Sequence, residues 1–249
     1  MSIKTILVSQ PKPENDKNPY TALAEKYSLN IDFRPFIHVE EVGMAEYRAQ
    51  RVDITKFTAV ILTSKTAVDH YFRIAQESRF EVPTTMKYFC ISEAVAYYLQ
   101  KYVTYRKRKI FHGKQTIEDL KDAIKKHKKE KFVLPCSNIL RDSIPQTLDK
   151  IDIDYSKVVL YKTVASDLSD LEDVSYDILV FFSPTGIESL FKNFPNFKQN
   201  NTKIAAFGPT TAKAIVDNNL RLDIHAPQQQ APSMTMALEQ YVKECKKKK

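Results

Sequence analysis

The sequence predicts an α/β protein made of two similar halves, each a parallel sheet flanked by helices, and three observations lead there. Residues 177–191, DILVFFSPTGIESLF, open with a continuous apolar run of β-branched and aromatic side chains. That is how a strand buried on both faces reads. Ser183-Pro184 ends the run, and Ile187, Leu190 and Phe191 then fall on one face of a helix. The same arrangement occurs at residues 60–72, VILTSKTAVDHYF, with Ser64 falling on Ser183, Thr66 on Thr185, Val68 on Ile187 and Phe72 on Phe191. A second pair, KYFCISEAVAYYL at 87–99 and KIAAFGPTTAKAI at 203–215, follows at nearly the same separation along the chain. Matched strand-turn-helix units at one separation indicate a duplicated α/β half; chance similarity between buried strands is the competing reading.

The elements follow in order. Residues 3–9 form the first strand. Asn18-Pro19 is a cap followed by proline at the first helical position, opening a helix to about residue 27. Residues 30–39, NIDFRPFIHV, are extended, and Pro35 makes them an edge or a connection, not a central strand. A short helix at 45–51 precedes the strand 59–62 and a helix to about 78. Val82-Pro83 breaks the chain before the strand 87–91 and a helix through 99. Thr116 and Asp119 have capping-box spacing, starting a helix to about 128. A short strand at 132–134 is followed by a helical turn or two within 136–148, limited by Pro145. Residues 157–164, KVVLYKTV, are strongly β-prone and lead into an acidic loop. The second half then gives strand, helix, strand, a helix over 209–218, a short strand at 221–225, and a last helix from Ser233 to about 243. The alternation predicts mostly parallel sheets covered on both faces.

The chain has 249 residues, 43% of them hydrophobic, enough for two cores of ordinary size. No apolar run approaches the roughly 20 residues of a membrane span, and a strand begins at once, so neither a membrane segment nor a signal peptide is expected. Cys90, Cys136 and Cys245 lie far apart, which suits reduced thiols and a cytoplasmic setting. The net charge of +8 is localised. Residues 101–131 hold 12 Lys/Arg against 4 Asp/Glu, and residues 243–249 hold 5 Lys and 1 Glu. Within the first block, the run 121–131 reads as the polar face of a helix, and the second block reads as a disordered tail. No zinc-finger spacing or RNA-binding aromatic signature accompanies them, so nucleic acid is not expected as a partner.

The chemistry is narrowed by absences. There is no GxGxxG and no GxxxxGK[ST], so nucleotide binding lacks its backbone machinery. His38, His70, His112, His127 and His225 are scattered, and no metal site is expected. No GxSxG surrounds Ser64 or Ser183. Hydroxyls at strand ends remain: Ser64 and Thr66, Ser183 and Thr185, Thr210 and Thr211. Each would cap a helix well. As a set they also gather at the carboxyl edge of α/β sheets, where ligands bind, and helix N-termini there offer N–H groups to a carboxylate-rich ligand.

Phe182-Ser183-Pro184-Thr185-Gly186 and Phe207-Gly208-Pro209-Thr210-Thr211-Ala212 resemble the two C-terminal motifs of the uroporphyrinogen-III synthase family. Val159-Leu160-Tyr161-Lys162-Thr163 resembles its tyrosine-bearing connector, and Thr63-Ser64 with Ala67-Val68 its middle-domain motif. The resemblance runs in order over most of the chain. It implies a discontinuous first domain (1–33 with 167–249), a two-stranded antiparallel connector (34–40 and 157–166), an inserted second domain (41–156), and a ligand cleft between the domains. It further implies a monomeric, cofactor-free enzyme that cyclises hydroxymethylbilane, a linear tetrapyrrole with eight carboxylates, with loss of water and inversion of the last ring. By the same resemblance Tyr161 assists departure of the hydroxyl, with an aromatic cross-strand contact as its other reading. The substrate-binding set is Ser64, Lys65, Thr66, Ser183, Thr185, Gly186, Gly208, Thr210 and Thr211. The chain departs from the family's pattern at Gln10, where Arg is common, at Thr66, where Arg or Asn is frequent, and at Ser92-Glu-Ala-Val95, which replaces Gly-x-x-Thr. A non-catalytic polyanion- or tetrapyrrole-binding protein of the same architecture is the alternative.

Overall fold

The computed structural model describes residues 3–171 and 174–247. In chain order the elements are β1 (Thr5–Val8), α1 (Pro19–Tyr27), β2 (Asn30–Phe33), β3 (Ile37–Glu41), α2 (Met44–Ala49), β4 (Ala59–Leu62) and α3 (Lys65–Glu77). There follow β5 (Lys87–Cys90), α4 (Glu93–Leu99), β6 (Ile110–His112), α5 (Lys121–Lys126), β7 (Phe132–Ser137), α6 (Ser143–Lys150) and β8 (Tyr155–Ala165). The chain closes with β9 (Ile178–Phe181), α7 (Pro184–Asn193), β10 (Lys203–Phe207), α8 (Pro209–Asp217), β11 (Ile224–Ala226) and α9 (Met234–Lys247).

Contacts divide the chain into two compact units, Met1–His38 with Val164–Lys249, and Val39–Thr163. The first carries a sheet of order β11-β10-β9-β1-β2, with every neighbouring pair parallel. The second carries β3-β8-β7-β4-β5-β6, parallel from β8 through β6. Apart from β3 at its edge, the second sheet repeats the order of the first: β4 takes the place of β9, β5 of β10, β6 of β11, β7 of β1 and β8 of β2. The duplicated strand-turn-helix runs of the sequence therefore occupy equivalent places. In the first unit the two chain ends supply different parts of this order. Asp177 joins them: its Oδ2 accepts from the N–H groups of Lys4 (2.7 Å) and Thr5 (3.0 Å), just before β9 begins.

The apolar runs are buried on both faces because alternate residues serve opposite helix layers. In β9, Ile178 and Val180 pack with Leu23, Leu238 and Val242, while Leu179 and Phe181 pack with Ile187, Leu190 and Ile215. In β4, Val60 and Leu62 face Val68, Tyr71 and Leu99, while Ala59 and Ile61 face Ile124 and Leu148. Pro35 lies between β2 and β3, each at a sheet edge. That suits a residue with no N–H to donate.

Several local expectations are corrected. β6 went unread because its three residues are too few to show a pattern. The helix expected from Thr116 begins as a 3₁₀ turn at Glu118–Leu120 and ends at Lys126, so residues 127–131 of the basic run are turn and loop. Its start is nevertheless built as spaced: Asp119 Oδ2 accepts from the N–H groups of Gln115 (3.1 Å) and Thr116 (2.8 Å). The strand placed at 221–225 is Ile224–Ala226. The lysine tail is helical through Lys247, not disordered, because α9 continues past the apolar stripe that docks it; residues 248 and 249 lie outside the described residues. Among the described residues no helix is long and apolar enough to cross a membrane.

Candidate functional site

Each sheet has a point where neighbouring strands lead into helices on opposite faces, β9 beside β1 in the first unit and β4 beside β7 in the second. Ligands of open α/β sheets bind beyond the carboxyl ends of the strands at such a point. In the second unit β4 ends at Leu62 and Ser64 caps α3. Its backbone is extended, and its Oγ accepts from the Ala67 N–H (3.0 Å). Ser183 does the same for α7, accepting from the Gly186 N–H at 3.2 Å. Ser92 caps α4 with a longer bond from Val95 (3.4 Å). Gly208, the equivalent of Ser92, has no side chain, so the first amides of α8 have no side-chain cap. Its φ of +88° explains the residue type: a Cβ is disfavoured there.

The predicted substrate-binding residues are placed unevenly. Ser64, Thr66, Ser183 and Thr185 are half-buried, and Lys65 and Thr210 are exposed. Lys65 Nζ lies 5.4 Å from the Tyr98 ring centre. Thr211 and Gly186 are buried, and the Gly186 amide is already committed to Ser183. Gln10, the departure after β1, is exposed.

The structure joins two of these residues in a way the sequence did not suggest. The Tyr161 hydroxyl lies 3.2 Å from Ser64 Oγ. Tyr161 belongs to β8, two strands away from β4. A bulge makes the reach feasible: the register runs Cys136↔Val159 and then Ser137↔Tyr161, skipping Leu160. Leu160 and Tyr161 thereby both join the core under α3, where strict alternation would send them to opposite faces. Burial pushes the Tyr161 phenol above its ordinary value of 10.0, partly offset by the Ser64 hydrogen bond. The phenol is therefore neutral at physiological pH and retains a proton to donate.

Beside this pair lies a polar group unread in the sequence. Asn138 Oδ1 accepts from Ser137 Oγ and from the Thr163 N–H, both at 2.8 Å, and the Asn138 N–H donates to the Tyr161 carbonyl (3.2 Å). Ser137-Asn138 ends a strand whose partners lie far away in sequence, so no local pattern marked it. At the same sheet edge a cavity of about 580 Å³ is lined by Glu93, His112, Gly113, Lys114 and Asp119. Its two carboxylates against one lysine make it a poor seat for a polyanion. Among the described residues no group of three or more His, Cys, Asp or Glu is placed to hold a metal.

Comparisons with known proteins agree on one family. A family model described as uroporphyrinogen-III synthase HemD matches residues 18–236. The uroporphyrinogen-III synthase of Saccharomyces cerevisiae is 29% identical over 139 residues, covering 50% of this chain and 50% of the yeast protein. That of Chlorobaculum parvum is 22% identical over 255 residues, covering 97% of this chain and 100% of the bacterial one. Among solved structures, the uroporphyrinogen-III synthetase of Helicobacter pylori 26695 superposes with a TM-score of 0.63 at 18% identity, over 97% of this chain and 100% of that one; the likeness is one of fold.

Proposed function

The chain belongs to the uroporphyrinogen-III synthase family of cyclising lyases in tetrapyrrole biosynthesis, and we propose that it closes hydroxymethylbilane into uroporphyrinogen III with inversion of the last pyrrole ring. The observation that carries the mechanistic reading is the Tyr161–Ser64 pair at the carboxyl edge of the second sheet.

The reaction removes water from a flexible, polyanionic chain. Amides and hydroxyls at strand ends are the proposed contacts for its acetate and propionate groups: Ser64, Lys65 and Thr66, and likewise Ser183, Thr185, Thr210 and the first amides of α8, which no side chain caps. Holding the chain folded supplies an entropic part of the rate. Tyr161 donates its proton to the departing hydroxyl; the C–O bond breaks and water leaves. Inversion then exchanges the bonds of the last ring: its substituted α-carbon bonds the methylene that lost the hydroxyl, its old bond to the neighbouring methylene breaks, and its free α-carbon bonds that methylene instead and loses the proton that restores the phenol. Gly186 and Thr211 act through backbone and packing, since both are buried.

A second reading, a non-catalytic tetrapyrrole or polyanion binder, is favoured by one observation: Tyr161 is only 7% exposed. One assay separates the two. Purified protein is supplied with freshly made hydroxymethylbilane and the porphyrinogen isomers are resolved. Isomer III marks catalysis, whereas isomer I alone, the spontaneous product, leaves only the binder.

A further inference from the structure

We propose that His70 is a positioning residue for Tyr161, locked against its ring by Arg73; this rests on the role proposed for Tyr161 above. The His70 and Tyr161 rings are stacked, with centroids 5.1 Å apart and planes within 15°. That separation is within the range of productive aromatic stacking. The imidazole does not find this position alone. Arg73 Nε donates to His70 Nδ1 (3.2 Å), so Nδ1 is the acceptor and the neutral ring carries its proton on Nε2.

Arg73 is itself fixed from three sides. Its Nη2 donates to the carbonyls of Val42 (2.8 Å) and Leu160 (3.1 Å), and its Nη1 to Glu77 Oε1 (2.8 Å). Glu41 Oε2 lies 3.5 Å from Nε. Leu160 is the residue skipped by the bulge and the one immediately before Tyr161. One guanidinium therefore holds both the backbone that aims Tyr161 and the imidazole that covers its ring, while Ser64 holds the hydroxyl. The remaining charged neighbour, Asp69, is occupied by the hydroxyls of Tyr98 (2.9 Å) and Tyr102 (2.7 Å).

This arrangement matters because a tyrosine ring swings about two bonds and carries its hydroxyl at the far end. A misplacement of about 1 Å at a reacting group costs on the order of 100-fold in rate. Burial and the nearby Arg73 cation keep His70 below its ordinary value of 6.5, so the stacked ring is neutral and adds no charge beside the phenol.

The test is a double-mutant cycle on the full chain. His70→Leu fills the space without an aromatic face, and His70→Phe restores the face without the nitrogens. The expected result is a fall in kcat of about tenfold for His70→Leu with KM unchanged, recovery of most of it in His70→Phe, and no further loss when His70→Leu is added to Tyr161→Phe. Equal kcat in the Leu variant and the parent, no recovery with Phe, or an additive loss in the Tyr161→Phe background would overturn the assignment. Urea unfolding of the parent, His70→Leu, Tyr161→Leu and the double variant reads the coupling between the two rings without any turnover, since each single change removes the stack. Isomer I alone from the parent protein sinks the enzymatic reading, and the unfolding cycle still decides whether the two rings are coupled; additive midpoints there dispose of the lock.

Discussion

Ser64 and Tyr161 are 97 residues apart in the chain and share a hydrogen bond of 3.2 Å between their hydroxyls. The same Ser64 Oγ accepts from the Ala67 N–H, so the cap of α3 and the proposed proton donor are tied to one atom. The two bonds of this serine are thus separable by comparing it with Ser183, which caps a helix in the same way without a tyrosine bonded to it.

Tyr161→Phe keeps the ring, its stack on His70 and its place in the core, and loses only the hydroxyl. Turnover of hydroxymethylbilane to isomer III should fall by about 100-fold or more, the usual scale of a lost general acid. Stability should change by less than about 1.5 kcal/mol, the net scale of one hydrogen bond. Rates from isomer-resolved product analysis, read beside a urea unfolding curve, check both halves.

Ser183→Ala removes a cap and nothing else that the structure shows bonded to it, and should cost about 1 kcal/mol. Ser64→Ala removes the equivalent cap and also strips the buried Tyr161 hydroxyl of its partner, for about 2 kcal/mol in total. Equal shifts of the two unfolding curves would mean that Tyr161 draws no stability from Ser64.

Two glycines should answer oppositely to alanine. Gly208 has φ of +88°, so Gly208→Ala should destabilise by about 1 kcal/mol or more although nothing lies within 4 Å of the added carbon. At Gly186 the added Cβ would meet Phe181 Cδ1 at 3.4 Å, Ser183 Oγ at 3.7 Å and Ser9 Oγ at 3.9 Å, all ordinary contacts in a normal helix. Gly186→Ala should leave the melting temperature unchanged or raise it slightly. Thermal melts of the two variants settle the contrast.

Stability should decline on acidification in two steps. His70 is held below 6.5 by burial and Arg73, so the unfolded chain binds its proton more readily; the contribution is present above pH 6.5 and lost as pH falls through the lower folded value. Asp119 is lowered from 3.8 to about 2, first by its hydrogen bonds from the backbone amides of Gln115 and Thr116; its contribution is present above pH 3.8 and lost as pH falls toward 2. The first step should vanish in His70→Leu, and the second should shrink in Asp119→Asn without vanishing, because Glu239, lowered to about 2 by its hydrogen bonds from Lys26 and Lys243, acts over the same range; urea midpoints across pH read both.

Much of this protein was decided locally and was readable from the chain. Ile178 and its neighbours are apolar at every position, which only a doubly covered strand explains, and Asn18, Ser64 and Ser183 each precede a helix with an oxygen at the right spacing. The duplication was visible because equivalent strands and corners keep similar residue types, and the two sheets share one strand order. What the chain left open depended on partners distant in sequence. The bulge at Leu160 arises from pairing between β7 and β8, and only that pairing turns Tyr161 toward Ser64 and His70. Asp177 reaches back to Lys4 and Thr5, and Arg73 grips Val42 and Leu160, by bonds that leave no mark on neighbouring residues. Periodicity and capping are properties of a few consecutive residues, so the sequence by itself determined the strands, the helix starts and the α/β class. The aim of a side chain across a sheet depends on register and on long-range hydrogen bonds, so only the tertiary structure decided which hydroxyls meet.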